Sequence, residues 1–340
     1  MNPRTPAIPA APSQMTTSAT RAMLHLTNGT AIIPLMRQAG IVGPTVPWED
    51  VLHEGPVPAG LNPAALRERR AAFLASCGWG SAESIGRTLA DRDGALDRAL
   101  LGSAGAAPID EIVLWFEHDL YDQLHLLQIL DRLPLDGRPR VTAVPSNDYL
   151  GVQPASRFTG LFAARTEVTS AQRLAARDAW AAFRSSDPRT IVDVLPRVGE
   201  LPHLQFALAR HLEQFPSMQN GLSRTEQQAL EAIGSGVTSV REIYRASHHG
   251  REDAIFMGDA AFISHIDSLL RSSRPLLRAG RRTRPLTLDD DLSLTTDGQH
   301  VLENRLDRVR ACGIDRWLGG VELKGTGPVW RWDTDRVRMA

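Results

Sequence analysis

Apolar and polar residues change their spacing along this chain, and the changes mark out three regions. Between residues 22 and 155, short apolar runs alternate with stretches of helical periodicity. Residues 22–26, 111–116 (EIVLWF) and 140–144 have the length and β-branched content of strands. Residues 31–39, a segment opened by Asn62 and Pro63, residues 84–101 and residues 121–133 repeat apolar positions every three or four residues. Pro34 is tolerated because it falls in a first helical turn, and Gly40, Gly43, Gly78 and Gly80 supply the stops. Residues 45–57 (TVPWEDVLHEGPV) carry too many prolines for a regular central strand and read as half extended, half loop. This β-α-β alternation predicts an α/β domain over residues 22–155 with a Rossmann-like parallel sheet.

From residue 156 to 220 the pattern turns helical, with starts at Ser170, Asp187-Pro188 and His203, and predicts a helical connector. Residues 221–340 open with the capping-box patterns Ser223/Glu226 and Ser239/Glu242. A helix over 259–270, strands near 275–278 and 286–288, and a helix from Thr296-Asp297-Gly298 follow. That order predicts a winged-helix-like C-terminal domain with a Trp-rich tail. Residues 1–21, rich in Pro, Ala, Ser and Thr, read as a disordered tail.

Composition narrows the classes. The 340 residues are 42% apolar and 23% charged, with a net charge of −1, which suits a soluble globular protein with no global attraction to nucleic acid or anionic membranes. No apolar run approaches the roughly 20 residues of a membrane span, and no signal-peptide centre precedes the first strand. A cytoplasmic location is therefore expected. Cys77 and Cys312 form no metal or disulfide pattern. Lys324 is the only lysine, so lysine-dependent mechanisms such as the P-loop have no donor in the first region.

The candidate chemistry gathers where strands end. Glu117-His118-Asp119 follows the 111–116 run and precedes a helix that includes Asp122. In a parallel sheet these residues share the carboxyl edge with His25, with the Thr27-Asn28-Gly29 turn, and with Ser146 and Asn147. His53-Glu54 is fixed by the adjoining Gly55-Pro56. Backbone N–H groups at 28–31 offer an anion cradle, and Arg67, Arg69 and Arg70 offer positive charge for a phosphate or carboxylate. Glu117, His118, Asp119, His53 and Glu54 thus stand as candidate acid–base groups. His25, Thr27, Asn28, Gly29, Arg67, Arg70, Asp122, Ser146 and Asn147 are candidate ligand contacts. Against this, Asp119 suits a plain N-cap with Asp122 in the first turn, and His25 suits a satisfied core histidine. A divalent metal on Glu117, His118 and Asp119 is an alternative, although no His-Glu-x-x-His spacing occurs. No Gly-x-Ser-x-Gly elbow and no Gly-x-Gly-x-x-Gly fingerprint is present.

The segments HLTNG (25–29), PWEDVLHEGPVP (47–58), LRERRAAFLA (66–75) and LWFEHDLYDQLHLLQIL (114–130) resemble an uncharacterised bacterial family of two-domain proteins. LTTDGQHVL (294–302), GIDRWLGGV (313–321) and Trp330-Arg331-Trp332 are similar to that family's usual C-terminal partner domain. The resemblance implies no reaction. From the residues, the expectation is a hydrolase or transferase acting on a phosphorylated or nucleotide-like small molecule. The rival is a ligand-sensing DNA-binding regulator that contacts phosphates through Arg281, Arg282 and Arg284, opposed by Asp289-Asp290-Asp291. A third possibility is a scaffold that docks through Trp317, Trp330 and Trp332.

Overall fold

The structure, a computed structural model, describes residues 22–102, 109–135, 137–280, 285–336 and 338–340. The expected tail and Arg281, Arg282 and Arg284 lie outside the described residues. The chain is mixed α/β. A five-stranded sheet has the order β2-β1-β4-β5-β6, formed by β1 (Met23–Thr27), β2 (Thr45–Pro47), β4 (Glu111–Trp115), β5 (Arg140–Ala143) and β6 (Thr166–Glu167). The first four are parallel, and β6 pairs antiparallel with β5. All five residues of β4 are buried, as a central parallel strand requires. Its side chains alternate between two cores: Val113 and Trp115 join Ile32, Met36 and Phe158 on one face, while Ile112 and Leu114 join the larger core on the other.

The first helices are α1 (Ile33–Gln38), α2 (Pro63–Ser76), α3 (Ala82–Leu101) and α4 (Leu120–Arg132). Their starts follow local chemistry. The Asn62 side chain accepts from Ala65 N–H, Ser81 from Ser84 N–H, and Asp119 from Asp122 N–H. From β1 the chain goes to one neighbour, β2, and later returns on the other side as β4. The carboxyl ends of β1 and β4 therefore flank a switch point, the place where open α/β sheets leave a crevice.

Beyond the sheet come α5 (Phe158–Ala163), α6 (Ser170–Phe183), α7 (Arg189–Val194) and α8 (Leu204–Leu212). The C-terminal part runs α9 (Arg224–Gly234), α10 (Val240–His248), α11 (Asp259–Leu270), β7 (Leu277–Ala279), β8 (Leu292–Leu294), α12 (Thr296–Leu302) and α13 (Arg308–Cys312). The Ser223/Glu226 capping box forms, but Ser239 makes no side-chain cap; its backbone instead bridges Asp291. The strand expected at 286–288 is also displaced. Asp290 accepts from both the Thr287 N–H and hydroxyl, which makes 287–290 a turn, and pairing with β7 begins only at Leu292.

The antiparallel hairpin β9 (Ile314–Gly319) and β10 (Val321–Gly325) was not legible in the hydrophobic pattern. Its strand β9 pairs in parallel with β3 (Gly55–Pro56), so residues from both ends of the chain build one three-stranded sheet. The larger core likewise continues from Leu26 and Leu114 through α6 and α8 to Phe262, Leu318 and Trp332 without a break at residues 155 or 220. Trp332 lies in β11 (Trp332–Asp333), paired with β12 (Arg338–Met339).

Candidate functional site

Three carboxyl groups meet at the switch point. Glu117 leaves the end of β4 buried, and its Oε1 accepts from Leu150 N–H at 2.6 Å. Asp119 caps α4, its Oδ1 accepting from Asp122 N–H at 3.1 Å. Asp122, one turn inside the helix, reaches back so that Oδ2 accepts from Glu117 N–H. Asn28, on the turn after β1, opposes the upward shift of both the Glu117 and Asp122 carboxyls, and Asp122 Oδ1 is buried with no hydrogen-bond partner among the described residues. Gln123 Nε2 donates to Glu117 O at 2.7 Å, which fixes the strand-to-helix turn. Sequence spacing brings the acids together because residues 117, 119 and 122 span a strand end and one helical turn.

No guanidinium or ammonium among the described residues pairs with any of the three. Burial raises the Glu117 carboxyl, against the opposing pull of Leu150 N–H and Asn28. Burial likewise raises Asp119 to about 7, helped by the neighbouring Glu117 charge and opposed by its cap bond to Asp122 N–H. Asp122 is pushed well above the usual aspartate range by burial and by Asp119 and Glu117. Close carboxylates cannot all ionise in a buried site, so the cluster retains protons near neutral pH.

Two aromatic-rimmed contacts surround it. His118 lies 5.2 Å from the Tyr149 ring and 5.9 Å from His203, its Nδ1 buried without a hydrogen-bond partner. Burial lowers its pKa. Tyr149 donates to Ile255 O at 3.0 Å, which joins this corner to the C-terminal part. On one side, Asn28 and Tyr121 form part of the wall of a cavity of about 650 Å³ shared with Glu49, Trp79, Ser84 and Thr88. No Lys, Arg or His occurs among its lining residues. On the other side Gln123, Ser146, Asn147 and His203 rim a smaller, mainly apolar pocket of about 210 Å³.

Several sequence candidates serve other ends. The cradle at the Thr27-Asn28-Gly29 turn is already used: Thr30 N–H donates to Glu49 Oε1 at 3.1 Å, and Thr27 Oγ1 donates to Gly29 O at 2.8 Å. A carboxylate of the chain itself thus stands where a phosphate was expected. Arg70 is fully buried, forks onto Asp50 at 2.7 Å and donates to the Val51 and Glu54 carbonyls. Arg67 pairs with Asp93 at 2.9 Å. Arg70 holds the 48–56 loop and Arg67 ties α2 to α3, rather than facing the cavity with unmet charge. His25 is a core histidine, its Nδ1 accepting from Trp115 Nε1–H at 3.1 Å and its Nε2 bonded to Val42 O at 3.2 Å.

His53 is buried with neither ring nitrogen bonded and sits edge-on to Tyr121 and Phe256 at 6.0 and 5.1 Å. Burial lowers its pKa to about 4, so the ring is neutral at physiological pH. Glu54 turns to a separate cavity, where it accepts from His265 Nε2 at 2.6 Å. Burial alone would raise its pKa, but His265, His53 and Arg316 together outweigh burial and hold it at about 2. That contact with His265 takes Glu54 away from the acid cluster. Ser146 Oγ donates to Asp148 O at 2.5 Å within its own loop.

Among the described residues, no group of three or more His, Cys, Asp or Glu side chains has a metal-holding arrangement. Glu49, Tyr149 and His203 are the contributors that sequence spacing missed. Glu49 carried a usable signal, since it lies two residues past the end of β2 on the same sheet edge. His203 carried none, because it comes from the connector. Compared with known proteins, the chain matches no family model and no curated protein.

Proposed function

We propose that the protein is an enzyme that performs general acid–base chemistry, as a hydrolase or transferase, on a small neutral or cationic polar molecule bound at the carboxyl ends of β1 and β4. The observation that carries this reading is the buried Glu117–Asp119–Asp122 cluster, without a cationic partner, beside a cavity whose described lining has no cationic side chain. A group with a pKa near 7 is poised to both give and take a proton. Asp119 fills that role, with Glu117 and Asp122 sharing the proton, and with Asn28 and Tyr121 on the cavity wall beside the cluster. Tyr121 and Trp79 offer apolar ring faces, and Glu49, Ser84 and Thr88 offer acceptors and hydroxyls. A phosphorylated ligand finds neither charge complement nor open cradle here, which moves the proposal toward amines, amino sugars and nucleosides.

We read the C-terminal elements as winged-helix-like, and their charges favour a supporting role over DNA binding. The helix that would enter the groove, α11, contains no Lys or Arg and carries Asp259 and Asp267. Its His265 is turned inward onto Glu54. Arg241 and Arg274 pair with Asp289 and Asp297.

The deciding experiment is thermal unfolding of wild type and Asp119→Asn against amines, amino sugars, nucleosides and sugar phosphates. Asparagine keeps the helix cap and cannot ionise. A ligand at about 100 times its dissociation constant adds about 2.7 kcal/mol. The expected result is a shift from a phosphate-free polar compound that Asp119→Asn weakens; shifts confined to phosphates, or unaffected by the substitution, reject the proposal.

A further inference from the structure

A second cavity lies away from the sheet edge, between α2 and β3 on one side and α11, α13 and β9 on the other. It encloses about 660 Å³, within the range of small-molecule sites. Glu54 and His265, 211 positions apart in sequence, meet on its wall. With Nε2 engaged by Glu54, His265 Nδ1 is left buried without a hydrogen-bond partner.

Arg308 and Arg316 line the same cavity and turn to one oxygen, Glu226 Oε1, at 3.4 and 2.8 Å. A guanidinium carries five N–H donors, so one carboxylate oxygen cannot satisfy two of them. Arg308 is buried; Nη1 donates to Gly313 O at 2.6 Å, but Nε has no partner among the described residues. Among the described residues, Arg316 makes a single side-chain hydrogen bond, the one to Glu226. The acids that line the cavity are Glu54, occupied by His265, and Asp315, which is exposed and lies 4.0 Å from Lys324. Arg271, also on the lining, is held by Asp267 at 2.5 Å. Phe73 and Trp317 add ring surface.

Buried donors without partners are rare in folded proteins and costly, and a paired guanidinium wall matches the two oxygens of a carboxylate or phosphate. We propose that this cavity binds a small organic anion, its acidic group held by Arg308 and Arg316 and its body set against Trp317 and Phe73. The site is separate from the acid cluster, and its ligand chemistry is the opposite: the sheet-edge cavity lacks cations, whereas this one concentrates them.

The test is calorimetric titration of the full chain at low salt with benzoate, with phenyl phosphate and with benzyl alcohol, which present the same ring with two kinds of anion or none. Saturable binding of at least one anion is expected, and the tighter of the two identifies the acidic group. Its dissociation constant should rise about tenfold or more in Arg316→Gln, the loss of one charge-assisted hydrogen bond. Ser264→Trp, at an exposed position of α11 that lines the cavity outside the ion network, should weaken binding equally by filling the space. It decides the matter alone if Arg316→Gln does not fold. Asp119→Asn should bind the anion as wild type does. Absence of saturable binding by both anions, wild-type affinity in Arg316→Gln and Ser264→Trp, an affinity lost in Asp119→Asn, or benzyl alcohol binding as tightly as the anions would overturn the proposal.

Discussion

Asp119 is pulled in opposite directions by two local effects. Its cap bond to Asp122 N–H favours the charged carboxylate, while burial and the neighbouring Glu117 favour the neutral acid, and the outcome is a pKa of about 7. Because the folded-state value lies above the unfolded one, the folded protein binds this proton more tightly. Stability must therefore fall as pH rises from about 4 to about 7 and stay low above that. Asp119→Asn, which keeps the cap, should remove this loss, so that the variant gains on wild type between pH 5 and pH 8. The full difference corresponds to about 4 kcal/mol, an upper bound because Glu117 and Asp122 compete for the same proton. Urea unfolding at the two pH values measures it, and a gap that does not widen with pH would contradict an uncompensated carboxyl. The opposite case is Arg70, whose fork onto Asp50 is buried on both sides. Arg70→Ala leaves a buried carboxylate unpaired and should cost about 3–5 kcal/mol in unfolding free energy. Arg70→Lys should rescue little, since an ammonium cannot reach Asp50 and two carbonyls with one geometry; full rescue by lysine would show that only the charge matters.

Elements with local causes were legible in the hydrophobic pattern and its punctuation. The caps at Asn62, Asp119 and Ser223, and β4 with its apolar run after Glu111, depend on neighbours within a few residues, and the structure places them within one or two positions of the expectation. The acid cluster was legible for the same reason, since β4 and α4 adjoin in sequence. What stayed hidden was set by distant partners. Arg67 and Arg70 looked like ligand contacts because Asp93 and Asp50 come from other elements, and the Thr30 cradle looked open because Glu49 closes it from the end of β2. The β9–β10 hairpin was hidden too: its turn, Gly319-Gly320, is dictated by α6. A Cβ on Gly320 would stand 1.9 Å from the Arg184 carbonyl oxygen, and one on Gly319 would stand 2.3 Å from the Phe183 carbonyl oxygen. Gly320→Ala, ordinarily a mild change, should therefore cost about 2 kcal/mol or more by forcing the hairpin off α6. A loss in thermal unfolding smaller than about 0.5 kcal/mol, the range of an innocuous surface change, would mean that the hairpin can shift freely.

At the scale of the molecule, the sheet region and the C-terminal elements share structure that neither can complete alone. Strand β3 finds its partner in β9, Val57 N–H donates to Gly319 O at 2.7 Å, Tyr149 reaches Ile255, and Glu54 reaches His265. The β3–β9 pairing and the Glu54–His265 contact lie on the wall of the arginine-lined cavity, so that site depends on the joined state, whereas the sheet-edge cavity is lined by residues 28–121 alone. One continuous core also means that unfolding one half exposes apolar surface of the other, which is the condition for a single cooperative transition. The full chain should show one calorimetric transition whose enthalpy equals its van't Hoff enthalpy. A fragment ending at residue 220 should lack one, because it would expose Phe215, Phe183 and the β3 edge while losing the partners of Glu54 and Tyr149. If that fragment instead melts cooperatively with intact near-ultraviolet dichroism, the C-terminal part is a docked accessory. The acid cluster would then have to work without it, a result that activity or ligand binding in the same fragment would test directly.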